Sequence, residues 1–374
     1  MTPASFGETQ ALLGLYMMLS MPALPLLLLV TRRIVRDRSA RLDTYALLRG
    51  LLIRTASAGL IFLAVTLLAR RPMARALALS APAAVPLFAA SVATNLCFLI
   101  AHAGLLGLFH WRAAAVFPVA LGLGRLALSL VFLSAGLGVA GVFAAIVVSN
   151  GICFLLAGWL AVRELPRGGV YRPLELDEVG LAAALNAAFW FLVHVDTAYV
   201  NRVLPALATS GYAAAATLAR PVVYFPNAVN QLLFPFLATA ATARERRVLL
   251  GRMLTAAVLV VLAAVAAMLV APGFILGTTF GTAYLGASGI LATVAAVLAP
   301  YTLMNIVLYD ALARHDRAVG RVFVAIATVA AVLLAAVTPP LGGMFAILAA
   351  SAIIATAVGL WRMQGTIAEP KSRP

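Results

Sequence analysis

Between residues 189 and 238 two long apolar runs are interrupted by polar side chains: His194, Asp196, Arg220, Asn227, Asn230 and Gln231. A charged group at membrane depth costs about 2.5–3.5 kcal/mol on insertion scales, so such groups persist where they face a polar cavity or a partner. Asp196 stands midway along its run. As a carboxylate it could gain and lose a proton or hold Na+, which makes it the coupling-ion candidate; a structural ion pair with Arg220 or Arg125 is the competing role. Arg125 and Arg220 lie deep within apolar runs, where a planar guanidinium fork could bind phosphate oxygens in pairs. Arg54, close to the end of its run, fits snorkelling to the interface instead. Asn227 and Asn230 beside Gln231 sit three or four apart on one helix face. They suit sugar hydroxyls, or hydrogen bonds between helices. Pro22, Pro25, Pro221 and Pro226 interrupt their helices and are hinge candidates, with static kinks as the alternative. Asp310 precedes Arg314 by one helical turn, the spacing of a local salt bridge.

No residue set points to catalysis. A phosphate-binding G-x-x-x-x-G-K-[ST] loop is absent, as is any zinc-ligand spacing. Cys97 and Cys153 both fall in apolar runs and read as small buried hydrophobes. Tyr199, Tyr212, Tyr224 and Tyr301, with Trp111, Trp159 and Trp361, are placed near run ends as an aromatic belt.

The elements that must carry these residues follow from composition. Hydrophobic residues make up 64% of the 374, charged residues 10%, and mean hydropathy is +1.06. Soluble domains carry about 25% charged residues, so the chain reads as a polytopic membrane protein. Its net charge of +15 clusters between apolar runs, where basic residues set topology and meet anionic lipid headgroups; nucleic acid is not implied.

Runs of about 20 apolar residues cross a bilayer as helices, because lipid offers backbone groups no other partner. Such runs cover 11–30, 51–69, 83–108, 113–134, 138–162, 181–203, 210–238, 252–274, 285–313, 319–338 and 342–361. The fold expected is all-α, with about eleven transmembrane helices. Arginines concentrate at 32–49, 112, 163–172, 244–252, 314–321 and 362–373, which the positive-inside rule makes cytoplasmic; the cluster Arg70–Arg75 violates it locally. The amino end is then periplasmic and the carboxyl end cytoplasmic. The mixed-charge segment 166–180 reads as a cytoplasmic linker between a lobe of five helices (1–165) and one of six (181–362), with a tail at 363–374. Gly7 and Pro22 recur as Gly211 and Pro226, a faint internal repeat of the kind transporters are built from. In that register the first run matches the second helix of the second lobe, so a complete relative is expected to carry one helix more at its start.

Four stretches carry a family resemblance. They are Phe6-Gly-Glu-Thr-Gln running to Thr31-Arg-Arg; Asp196 with Ser210-Gly-Tyr-Ala; Tyr224-Phe-Pro-Asn-Ala-Val-Asn-Gln; and Phe280-Gly-Thr-Ala-Tyr. In these the chain resembles polysaccharide (O-antigen-type, Wzx-like) flippases of the multidrug/oligosaccharidyl-lipid/polysaccharide (MOP) exporter superfamily, lacking the first helix. The resemblance implies two helical lobes around a central cavity, and translocation of undecaprenyl-pyrophosphate-linked oligosaccharide across the bacterial inner membrane. It implies membrane lipids and polysaccharide polymerase or chain-length machinery as partners. No cofactor is expected beyond coupling to H+, Na+ or the membrane potential. The competing readings are an integral-membrane enzyme of polysaccharide assembly, a non-transporting scaffold, and an exporter of drugs or lipid II.

Overall fold

The computed structural model describes residues 3–39, 43–80, 82–165, 168, 176–227, 229–230, 242–314 and 316–368. Among them every regular element is helical and none is a strand. The chain divides into two compact units, residues 1–183 and 184–374.

The first unit begins with α1 (Pro3–Ser20) and α2 (Leu24–Ser39), joined through a 3₁₀ turn at Met21–Ala23. That turn carries Pro22, whose ring and missing N–H interrupt the helical ladder, so the first span (Ser5–Val35) is broken in the middle. Next come α3 (Thr44–Leu68), the short α4 (Arg70–Ala76), α5 (Ala84–Gly107), α6 (Trp111–Ser134) and α7 (Gly138–Glu164). Asp43 caps α3 by accepting from the Ala46 N–H at 2.8 Å, which explains why this helix starts well before the apolar run at 51. α5 is the hub: it packs against α1, α2, α3 and α7. Of its most apolar stretch 61% is buried, against 6% for α6, which turns Val119, Leu123 and Leu126 outward. Gly107 permits the close approach of α2, since a Cβ there would stand 2.6 Å from Cγ2 of Ile34.

The second unit holds α8 (Leu176–Val203, entering from the first), α9 (Ala206–Ala219) and a helical stretch at 221–227. It continues with α10 (Ala243–Val270), α11 (Pro272–Phe280), a 3₁₀ turn (Thr282–Ala287), α12 (Ser288–Arg314), α13 (Arg317–Val337) and α14 (Leu341–Ala368). Here α12 is the hub, packed against α9, α10 and α14. Gly359 lets α14 lie directly on it, because a Cβ at that position would overlap Val307. Thr242 and Glu245 form a capping box at the start of α10, and Asp316 caps α13.

Among the described residues ten helices are long and apolar enough to cross a membrane, and they coincide with ten of the eleven runs read from sequence. The run 210–238 departs from expectation. α9 stops at Ala219 and a new stretch starts at Pro221, because proline cannot donate to the preceding turn. Residues 231–241, which complete that run, lie outside the described residues. Two boundaries also differ: α8 already begins within the segment read as linker, and α14 extends into the segment read as tail.

Candidate functional site

In the first unit α6 places Arg125 against three helices at once. Its Nη2 donates to the Tyr16 hydroxyl of α1 at 2.9 Å, to Asn95 Oδ1 of α5 at 3.2 Å and to Asn150 Oδ1 of α7 at 2.7 Å. Nε adds a 3.3 Å bond to Asn150, and the guanidinium lies 5.7 Å from the Tyr16 ring centroid. Asn150 in turn donates to the Ser91 carbonyl at 3.1 Å, which turns its Oδ1 toward the arginine. Every one of these partners is neutral, and among the described residues Arg125 makes no ion pair. Neutral acceptors hold the fork in place without cancelling its charge. Such a cation, half-buried in a membrane span, is electrostatically available to an anion.

In the second unit Arg220, the residue at the α9 break, donates through Nη2 to Asp196 of α8 at 2.9 and 3.2 Å. The Tyr212 hydroxyl donates to the same carboxylate at 2.6 Å. Asp196 and Arg220 are 3% and 4% exposed, so this is a closed, buried ion pair. Beside it His194 Nε2 lies 3.0 Å from the Tyr224 hydroxyl, and Trp190 stacks on the imidazole with centroids 5.9 Å apart. A small cavity against Asp196, lined by Tyr212, Tyr301 and Phe345, has room for about one water-sized guest.

The asparagines form a ladder within this unit. Asn230 donates to Asn305 Oδ1 at 2.7 Å, Asn305 to Asn227 Oδ1 at 3.0 Å, and the Tyr309 hydroxyl to Asn227 at 3.2 Å. They tie the stretch after Pro221 to α12. Gln231 lies outside the described residues. Asp310, fully buried, receives Arg314 one turn away at 2.7 Å and also Arg246 of α10, a partner that spacing could not reveal. Pro22 and Pro221 stand at the two helix breaks; Pro25 and Pro226 lie within the helical segments that follow. Arg54 is exposed on α3.

The belt reading of the aromatics is corrected for three tyrosines. Tyr212 and Tyr301 are fully buried, and all of Tyr212, Tyr224 and Tyr301 bond polar atoms inside the second unit, Tyr301 reaching the Leu348 carbonyl at 2.9 Å. Buried polar partners (the Asp196 carboxylate, the His194 ring and the Leu348 carbonyl) hold these hydroxyls inside, and position along a run does not disclose them. Trp111, Trp159 and Trp361 are exposed. Cys97 and Cys153 are both free and buried.

These units define a class before they define a substrate: a multi-pass helical membrane protein with the fold of the MATE transporters of the MOP superfamily. A structure described as the inward-facing conformation of a multidrug resistance MATE family transporter aligns at TM-score 0.74 with 15% identity, covering 99% of this chain and 92% of that one. One described as an outward-facing conformation aligns at 0.61 with 15% identity, covering 99% and 86%. A MOP superfamily transporter from Pyrococcus furiosus, described as having a binding pocket of reverse polarity, aligns at 0.58 with 14% identity over 97% and 87%. No family model matches the chain, and no curated protein matches it in sequence.

Proposed function

We propose that the chain is a transporter that moves an undecaprenyl-pyrophosphate-linked oligosaccharide across the bacterial inner membrane for polysaccharide assembly, by alternating access. The observation that carries this reading is Arg125: a cation in a membrane span whose partners are all neutral. A pyrophosphate supplies the paired oxygens its fork accepts. Arg220 and Asp196 take a different part, since each already neutralises the other. Asn227 and Asn230 likewise serve first as the bridge to α12.

The fold supports movement of a substrate over chemistry on one, because structures sharing it are described as transporters in inward- and outward-facing conformations. A multidrug substrate of cationic type would meet repulsion at Arg125. The test is lipid extraction from a deletion strain, with the leaflet position of the lipid-linked oligosaccharide determined. Cytoplasmic accumulation that this chain relieves, and that Arg125→Gln fails to relieve, is the expected result. Normal leaflet distribution with altered polymer length would favour the enzyme or scaffold reading instead.

A further inference from the structure

The hydrogen bonds of Arg125 use its guanidinium unevenly. Nε gives its proton to Asn150 Oδ1, and Nη2, with two protons, faces three acceptors on Tyr16, Asn95 and Asn150. Nη1 makes no hydrogen bond or ion pair among the described residues. Of the fork, Nη1 is the arm left open at rest.

The three acceptors differ in what they have left to give. Asn150 is fully buried and spends both ends of its amide, since Nδ2 donates to the Ser91 carbonyl at 3.1 Å and the Thr94 hydroxyl at 3.4 Å. Asn95 spends Oδ1 on Arg125, while its Nδ2 has no acceptor among the described residues. Tyr16 accepts from Arg125, so its own O–H proton turns away from the guanidinium, and it too has no acceptor among them. Both side chains are buried, Asn95 at 8% exposed and Tyr16 at 2%, where an unspent donor is unfavourable. The free N–H groups of Asn95 share an amide carbon with the oxygen that touches Arg125. The free proton of Tyr16 sits on the touching oxygen itself. Unspent donors from α1, α5 and α6 therefore surround one cation, and among the described residues no carboxylate bonds any of them.

We propose that Tyr16 and Asn95 are anion-contacting residues, which with Arg125 Nη1 form a donor-only site for a diphosphate; this rests on the reading of Arg125 as the anion site. Arg125 brings the charge and its open arm. An oxyanion seated there meets the Asn95 N–H and the Tyr16 O–H next, and accepting from them satisfies two buried donors at once. Asn150 has no donor to spare and serves as a positioning residue, holding Nε and Nη2 so that Nη1 faces outward from its grip. A diphosphate carries oxygens on two phosphorus atoms, enough for all three donor groups. A carboxylate offers two oxygens on one carbon, so the site discriminates by number of acceptors as well as by charge.

The experiment is equilibrium binding by the full chain in lipid nanodiscs. Geranyl pyrophosphate is the probe, with geranic acid and geraniol as its carboxylate and uncharged counterparts. The unmodified chain binds the diphosphate about 10-fold more tightly than the carboxylate and does not bind the alcohol. Tyr16→Phe, which keeps the ring beside the guanidinium, and Asn95→Ala each weaken the diphosphate about 10-fold. Arg125→Lys separates contact from positioning, because lysine keeps the charge but has no guanidinium to orient. In that background Tyr16→Phe and Asn95→Ala again weaken binding severalfold. Losses seen with arginine and absent with lysine overturn the proposal, since both residues then act only by holding the guanidinium. Spectra of chain labelled with 15N-asparagine give a second reading in the unmodified protein. The Asn95 side-chain amide, assigned by its absence in Asn95→Ala, shifts as the probe is added; an amide unmoved at saturation overturns the proposal, as does failure of the unmodified chain to bind. Binding with the expected pattern, in a chain that leaves leaflet accumulation unrelieved in the deletion strain, removes the transport reading and leaves the site. Relief of accumulation by a chain whose Tyr16→Phe and Asn95→Ala forms bind the probe unchanged removes the site and leaves the transport reading.

Discussion

At Arg125 and Arg220 the same side chain meets opposite surroundings, and the two substitutions should behave differently. Arg125 is held by Tyr16, Asn95 and Asn150, none charged. Replacing it by Gln strands no counter-ion but leaves buried acceptors such as Asn150 Oδ1 short of a donor, so unfolding stability in detergent should fall by about 1–3 kcal/mol. Transport should fall about 10–100-fold, the loss of charge-assisted bonds worth about 1.5–3 kcal/mol to the anion. Arg125→Lys keeps the charge without the fork and should fall between. Arg220→Gln instead leaves Asp196 buried and unpaired, which should cost about 3–5 kcal/mol, while the double change with Asp196→Asn should recover much of it. Thermal unfolding of purified single and double variants decides this. A double variant no more stable than Arg220→Gln alone would mean the pair is not what holds α8 to the α9 break.

Among the helices, the hubs α5 and α12 are held by backbone approach as well as by side chains. Gly107→Val forces a branched side chain into Ile34, and Gly359→Val forces one into Val307; each should cost about 1–3 kcal/mol or more. Gly122→Val is the control, because nothing lies within 4 Å of a Cβ there, and its melting temperature should stay near that of the unmodified chain. The long spans themselves were legible in the sequence, since a run of apolar residues in lipid has only the helix open to it. What escaped the reading has physical causes. Pro221 reads as an interruption, but the unbroken hydropathy run around it hides that α9 ends there. Asp43 moved the start of α3 outward through a cap that hydropathy does not register. Of the site, Arg125 and the Asp196–Arg220 alternatives could be named from position in the runs. The neutrality of Arg125's partners could not, because Tyr16, Asn95 and Asn150 are brought together from three helices far apart in sequence.

For the molecule as a whole, function depends on which way the chain threads the bilayer, and arginine placement predicts that direction. Arg112 and Arg163 mark one end of α6 and α7, where His110 and Glu164 meet at 2.7 Å; Ala135 marks the other end of α6. The positive-inside rule puts the first end in the cytoplasm. Cys97 and Cys153 are free and buried, so both can be replaced by Ala to give a background for labelling. In intact cells, Ala135→Cys should react with a membrane-impermeant maleimide and Phe109→Cys only after the membrane is opened, both positions being exposed. This orientation places the arginine-rich loops on the side where a lipid-linked pyrophosphate is assembled under the proposed function, so that attraction to the loops and to Arg125 acts in sequence along one path. The reverse labelling pattern would put the basic loops on the exit side. An anionic substrate would then be held back at the point of release, and transport in the proposed direction would lose its electrostatic rationale even with the fold intact.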